Sequence, residues 1–378
     1  MASVQLREVQ KNYGGRTALH ELSVDVADGE FYCLLGPSGA GKTTTLKVIA
    51  GLERPQRGTV LIGGKAITDV EPNERNVAMC FESYALYPQA NVFQNLVSPL
   101  RSPRHRVSPD QAERSVRRVA RLLGIEHLLD RQVTELSNGQ RQRVALGRVL
   151  VRPAAAYLLD EPLAHLDAKL RAEMRAELKA ISRDVGTTTV YVTHDYVEAL
   201  SLADRIGVLD QGRIRQVGTP EQLWTSPADS FVAGALGKPG ITLLEGTVTD
   251  DLEFVLAGGS VRLPLPPLTR GPGHRVRVGL RARDLTLAGS AEEDPEWAEQ
   301  QGANPTARRV PGTIYVIEHL GRQTEVTVQV DGALLALVLP RSEAAGLTTD
   351  QRVAVRVDAR RMHVFDADDA GKRVNRDP

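Results

Sequence analysis

The chain is poor in cysteine, has no net charge and contains no long apolar run. Two of its 378 residues are cysteines, Cys33 and Cys80. They lie far apart in the apolar stretches FYCLLG and VAMCF, without the close spacing of a metal or redox motif, so both are expected to be buried, reduced thiols. Lysine and arginine total 47, as do aspartate and glutamate, which leaves a formal charge of zero. Composition therefore gives no reason to expect nucleic acid or an acidic membrane face as a partner. No stretch approaches the ~18 apolar residues of a membrane span, and MASVQLREVQ lacks the apolar core of a signal peptide. A soluble, cytoplasmic chain is expected. At about 150 residues per domain the length implies two or three units.

What is present divides at about residue 236. Before it, short apolar runs alternate with helical periodicity, as in an α/β domain around a largely parallel sheet. Three runs, EFYCLLG (30–36), AAAYLLDEP (154–162) and TTVYVTHD (188–195), are continuously apolar, as strands covered on both faces are. Each ends in a polar group at its carboxyl end, where open α/β sheets bind ligands. PDQAERSVRRVARLLGI carries Ala112, Val116, Val119 and Leu123 on one helical face, and its arginines read as a solvated face. After residue 237, LEGTVTD, RVRVGLRARDL, GTIYVIEHLG, QTEVTVQVDGALLALVLP and QRVAVRVDARRMHVFD alternate in the manner of a small all-β domain. PLPPLTRGPG (264–273) and AEEDPEWAEQQGANPTARR (291–309) read as loops within it, and GKRVNRDP as a frayed tail.

GPSGAGKTT, residues 36–44, fits G-x-x-x-x-G-K-[ST] between an apolar strand and a helical stretch. Gly36, Gly39 and Gly41 would let backbone N–H groups turn inward around phosphate oxygens, with Pro37, Ser38 and Ala40 completing the ATP-binding loop. Lys42 would neutralise the terminal phosphates, the Thr43 hydroxyl would bind Mg²⁺, and Thr44 continues into the helix. In YLLDEP, Asp160 and Glu161 arrive together at a strand end. Taken alone the pair reads equally as a helix cap; beside a phosphate loop, Asp160 suits Mg²⁺ and Glu161 the activation of water. His194, in VTHD, would stand beside the γ-phosphate if its strand neighbours that of Asp160. Tyr13, in KNYGGRTAL, is a candidate adenine-stacking aromatic.

The order of these motifs, with LSNGQ between the phosphate loop and the DE pair, resembles the ATP-binding cassette ATPases. More narrowly, it resembles the carbohydrate-importer subunits of the maltose and glycerol-phosphate transporter type. FESYALYPQANVFQNL, ELSNGQRQRVALGRVLVRPAAAYLLDEPLAHLDAKLRAEMRAEL and YVTHDYVEALSLADRIGVLDQGRIRQVGTPEQLW carry the likeness over residues 4 to about 236. VGLRARDL and VIEHLGRQTEV are weaker markers beyond. The resemblance implies a P-loop NTPase domain over 1–236 with a helical subdomain at about 88–150. A TOBE-type, oligonucleotide-binding-like β domain over 237–378 would follow.

It further implies a head-to-tail dimer of cassettes that sandwiches two ATP molecules. Ser137, Asn138, Gly139 and Gln140 would face the opposing ATP, Glu161 would be the catalytic base and His194 the γ-phosphate contact. Two permease subunits would be driven by closure, SYALYPQANVFQN would receive a coupling helix, and a solute-binding protein would serve the complex from outside. The chain would then be peripheral on the cytoplasmic face of the membrane.

Four departures from the family pattern stand out. Glu82 replaces a glutamine and Asn138 a glycine, Ala164 and His165 replace Ser-Asn, and Tyr196 replaces a glutamine. Glu82 would add a third carboxylate, and a weak candidate Mg²⁺ ligand, beside the triphosphate, so a slower site is expected. Asn138 is milder, because Ser137 and Gln140 still form a capping-box pattern and asparagine tolerates a left-handed backbone. Together they raise the expectation of a non-identical cassette partner. Competing readings are a weakly active regulatory cassette, a cassette acting on nucleic acid or ribosomes, and an importer ATPase for polyamine or iron.

Overall fold

The computed structural model describes residues 2–81, 83–164, 166–259, 261–288 and 306–375. They form two compact units, residues 1–220 and 221–378.

The first unit opens with β1 (Val4–Tyr13) and β2 (Arg16–Val26), followed by β3 (Phe31–Leu35), α1 (Lys42–Ala50), β4 (Arg57–Ile62), β5 (Lys65–Ala66) and β6 (Val77–Cys80). Three helices come next, α2 (Val92–Val97), α3 (Pro109–Leu122) and α4 (Asn138–Leu150). The unit closes with β7 (Ala156–Asp160), α5 (Ala168–Val185), β8 (Thr189–Thr193), α6 (Tyr196–Leu202), β9 (Arg205–Asp210) and β10 (Arg213–Gly218).

Among the described residues β2-β1-β4-β5 make an antiparallel sheet, and β10-β9-β3-β8-β7-β6 a second. In the second sheet, all strands but the edge strand β10 run parallel. Every residue of β3, β7 and β8 is buried, which is why their sequences are continuously apolar instead of alternating. A single core joins α1 to both sheets through Leu46, Val48 and Ile49, with Leu6 and Val60 on one side and Leu34, Leu158 and Val190 on the other. In α3 the buried residues include Ala112, Val116 and Val119, the face read from periodicity. Both cysteines are buried and free. Burial pushes the Cys80 thiol up to about 12 and Cys33 well above its usual value, so neither is primed as a thiolate.

The second unit carries α7 (Pro220–Thr225), which begins at the boundary, and α8 (Ser230–Gly234), then the strands β11 (Thr242–Val248), β12 (Glu253–Leu256), β13 (Arg262–Pro264), β14 (Arg275–Leu280), β15 (Thr286–Ala288), β16 (Ala307–Leu320), β17 (Gln323–Val330), β18 (Ala333–Pro340), β19 (Arg352–Asp358) and β20 (His363–Asp366), with a 3-10 turn at Ala359–Arg361 between the last two. Among the described residues they form two five-stranded sheets, β13-β12-β11-β14-β20 and β15-β19-β16-β17-β18. Phe254, Val278, Ile314, Val328, Leu337 and Val355 fill the core they share.

Three details differ from the sequence reading. The compact units divide at residue 220 and not at 236, because residues 221–236 pack with the β-rich unit. Arg281 stacks 3.9 Å from the Trp224 ring centroid and donates to the Leu236 carbonyl at 2.8 Å. Residues 307–309, read as loop, start β16, since Ala307, Arg308 and Arg309 pair with Asp358, Val357 and Arg356. In the segment read as a frayed tail, residues 371–375 pack onto the β-rich unit: Val374 is buried, and its amide donates to the Val364 carbonyl.

Within this unit His363 is buried beside Phe365. Burial, with the nearby Arg281 and Arg373, lowers its imidazole from 6.5 to about 3. Between those values the unfolded chain binds a proton that the folded chain refuses, so stability must rise with pH across that window, by at most ~1.4 kcal/mol per pH unit. Urea unfolding of the full chain, followed across the window, is expected to show this rise and to lose this component in His363→Leu. An identical pH dependence in the variant would contradict the assignment.

Candidate functional site

The site is assembled at the carboxyl ends of three adjacent strands. β3 pairs with β8 and β8 with β7, all in parallel, so the residues that follow them emerge side by side. The chain leaves β3 at Gly36, where a Cβ would stand 2.3 Å from the Leu209 carbonyl oxygen of β9; only glycine fits. At Gly41 φ is +107°, and this residue is the N-cap of α1 with no side-chain cap bond. The first-turn amides of α1 are thus left for an anion, supported by the helix dipole. Pro37, Ser38 and Gly39 are exposed, while Ala40 is buried.

Lys42 is buried and its ammonium donates to the carbonyls of Gly36 and Pro37 at 2.9 and 3.0 Å. It also lies 3.5 Å from Glu161 Oε1. The Thr43 hydroxyl donates to Asp160 Oδ1 at 3.0 Å, which brings together a hydroxyl and a carboxylate from α1 and β7. Oxygen donors of this kind suit Mg²⁺, which characteristically takes one or two carboxylates and completes its shell with water and substrate phosphates. Thr43 and Asp160 therefore fit the ion.

Glu161 follows β7 directly and has φ of +44°, a rare conformation for a residue with a side chain. Its amide donates to the Val192 carbonyl at 3.1 Å, and its own carbonyl accepts from the Ala164 amide and from Gln142 Nε2 at 3.4 Å. A strained backbone held by bonds from three directions is a pattern found at functional sites. Glu161 Oε2 then meets His194 Nδ1 at 2.8 Å. His194 itself is 57 % exposed. The structure thus brings Lys42, Thr43, Asp160, Glu161 and His194 together. Tyr13 lies beside the same loop: it interacts with Thr44 and Glu53, and partial burial raises its phenol pKa. Lys11 Nζ sits 4.9 Å from its ring centroid, so a base stacking on Tyr13 would use the opposite face.

LSNGQ lies apart on α4. Ser137 is the N-cap and exchanges both bonds of a capping box with Gln140. Asn138 is the first helical residue and is exposed; it has no positive φ, so the left-handed tolerance of asparagine is not needed here. At Gly139 a Cβ would meet Leu166 at 3.3 Å. Glu82 and His165 lie outside the described residues. Ala164 donates to Glu161, and Tyr196 opens α6 behind the N-cap Asp195.

Sequence reasoning passed over three side chains. Gln142 is a glutamine on the buried face of α4, where helical periodicity calls for an apolar residue. Asn95 is wholly buried and binds the loop before α2, accepting from the Tyr87 amide and donating to the carbonyls of Tyr87, Ala90 and Asn91. Glu198 is buried in α6 and accepts from the Tyr191 and Thr193 hydroxyls, both at 2.8 Å. Burial pushes its carboxyl up, against the two hydroxyl bonds that hold it down. The only trace of Glu198 in the sequence is an acid on the apolar side of a short helix.

With this geometry in view, residues 19–164 match the ABC transporter family profile and residues 306–364 the TOBE domain. The trehalose/maltose import ATP-binding protein MalK of Thermococcus litoralis is 43 % identical over 97 % of this chain and 98 % of its own length. The sn-glycerol-3-phosphate import ATP-binding protein UgpC 3 of Agrobacterium fabrum is 41 % identical over 99 % of this chain and all of its own. Among solved structures, the dimeric bacterial ABC transporter cassette MJ0796 aligns with a TM-score of 0.54 at 28 % identity, covering 57 % of this chain and 98 % of that one. The same cassette is also known in a post-hydrolysis state bound to ADP and phosphate, with the same TM-score of 0.54.

The capping geometry separates Ser137 from Asn138. Ser137→Ala removes a cap bond and is expected to cost about 1 kcal/mol, with faster amide exchange in the first turn of α4. Asn138→Gly alters an exposed side chain with no part in the capping box and should stay within about 0.5 kcal/mol. The reverse ranking in chemical denaturation would contradict this account.

Proposed function

The chain belongs to the ABC transporter family, whose importer ATPases dimerise and work with transmembrane permeases, and from that premise we propose that it powers import of a sugar, polyol or sugar phosphate. The observation that carries the solute class is that likeness to trehalose/maltose and glycerol-phosphate import proteins runs along nearly the whole chain, the β-rich unit included. Among the described residues no helix is long and apolar enough to cross a membrane. Attachment through permeases, peripheral on the cytoplasmic face, is the reading that accords with the family. The groove of about 300 Å³ bounded by Tyr84, Leu86, Pro88, Val133 and Arg141 supports docking of a permease helix there.

In this reading the γ-phosphoryl group enters between the α1 amides and Lys42, whose ammonium exchanges loop carbonyls for phosphate oxygens. Thr43 and Asp160 would hold Mg²⁺, whose positive charge would polarise the phosphoryl oxygens. Glu161 accepts a proton from the attacking water, and His194, hydrogen-bonded to it, fixes the direction of its carboxylate and contacts the γ-phosphate. Ser137, Asn138, Gly139 and Gln140 close over the ATP of the opposing cassette, where the capped N-terminus of α4 faces negative charge. Asn138 and Glu82 together favour a non-identical partner cassette, so that the two nucleotide sites differ.

Glu161→Gln in the complex assembled with its permeases is expected to keep ATP binding and to lower turnover by about 10²–10⁴-fold. Undiminished turnover would remove Glu161 from the mechanism. Glu82→Gln is expected to raise turnover by relieving carboxylate repulsion; an unchanged or lower rate would count against that role. Mass spectrometry of the complex drawn from membranes through this chain should recover permeases and a second cassette. An active transporter holding this ATPase polypeptide alone would exclude the mixed dimer.

A further inference from the structure

Thr193 joins the His194 turn to the phosphate loop and to α6. Its carbonyl receives the Gly36 amide at the start of the phosphate loop. Its hydroxyl accepts from the Asp195 amide at 2.9 Å and donates to Glu198 Oε2 at 2.8 Å. The Thr193 and Asp195 contacts bracket His194 on both sides. A threonine hydroxyl has a single proton and two lone pairs, so the direction of the proton decides whether a lone pair is free for the amide. Glu198, buried and reached by the hydroxyls of Tyr191 and Thr193, fixes that direction. A charged acceptor makes each of these bonds stronger than a neutral one would.

The same carboxylate sits two residues beyond Tyr196, on a helix whose own N-cap, Asp195, accepts from the Val197 amide at 2.8 Å. Asp195 is tied a second time, to Arg171 of α5 at 3.5 Å. Residues 193–198 are therefore a closed loop of bonds. His194, exposed within it, reaches Glu161 through Nδ1.

We propose that Glu198 is a positioning residue for ATP hydrolysis, acting through the Thr193 hydroxyl to hold His194 against Glu161. The inference rests on the role given to His194 above. Loss of the carboxylate frees the Thr193 proton to turn toward other acceptors, the Asp195 amide loses its partner, and the imidazole drifts from Glu161. Displacement of a directing group by about 1 Å is enough to cost up to 10²-fold in rate. ATP binding, carried by α1 and Lys42, is untouched by this drift.

The test is steady-state ATP hydrolysis by the full chain in its assembled complex, with kcat and KM separated. Glu198→Ala is expected to lower kcat by about tenfold or more with little change in KM. Thr193→Val, which keeps the side-chain shape and removes the hydroxyl link, should reproduce that loss. Glu198→Gln, whose amide oxygen accepts both hydroxyls, should recover most of the activity. The decisive measurement is the cycle with His194→Ala: in that background Glu198→Ala should add no further loss, because it acts through the missing imidazole. Additive losses, or a fall in kcat from Tyr191→Phe as large as that from Thr193→Val, would overturn the proposal in favour of a general packing role. Full activity in His194→Ala would instead defeat the reading of the site itself, and the inference with it.

Discussion

The last two carbonyls of β8 hold the candidate site together. Val192 receives the amide of Glu161 and Thr193 that of Gly36, so one strand end ties the carboxylate on β7 to the phosphate loop on β3. This depends on parallel pairing in register. Leu35 lies opposite Thr193, and Asp160 opposite Val192. A slip of one residue would turn Asp160 to the other face of the sheet and separate it from Thr43. Full burial of all three strands specifies the register, and so the apolar runs that look like mere core are what sets the distances among charged groups.

The arrangement also explains how buried or half-buried charge is tolerated. The Lys42 ammonium is surrounded by the Gly36 and Pro37 carbonyls with Glu161 nearby, Asp160 accepts from Thr43, and Glu198 accepts from two hydroxyls. Each would be costly alone in a protein interior. Lys42, Thr43 and Asp160 are also the groups a triphosphate and a metal ion would engage, so their hydrogen bonds keep them in place for binding as well as lowering the cost of burial.

Much of this was legible in the sequence because the informative signals are local. GPSGAGKTT needs its glycines and lysine in one loop, YLLDEP and VTHD end buried strands, and Ser137 and Gln140 make their cap within one helical turn. Glu198 was not legible, since its partners Tyr191 and Thr193 lie on a strand whose side-chain direction the sequence does not reveal until the sheet is built. Gln142 is similar: its contact with Glu161 crosses from helix to strand end. The division at residue 220 was missed because α7 and α8 carry helical periodicity like that of the preceding unit, whereas Arg281, far along the chain, is what draws them to the β-rich one. The packing of the C-terminal segment was missed for the same reason, since Val374 gains its partner only when β20 is in place.

Asn138 gains a different meaning once the helix is seen. The capping box is made by Ser137 and Gln140 and would be the same with glycine at the first position of α4; asparagine adds an exposed amide that can both donate and accept. The exchange therefore changes what the surface offers to a facing molecule and not how the surface is built. A negative group approaching α4 meets the helix dipole and the Gly139 backbone as before, with one more donor available beside them. Asn138 lies on α4, apart from the groups assembled around Lys42 and Glu161, so the exchange leaves that cluster as it is.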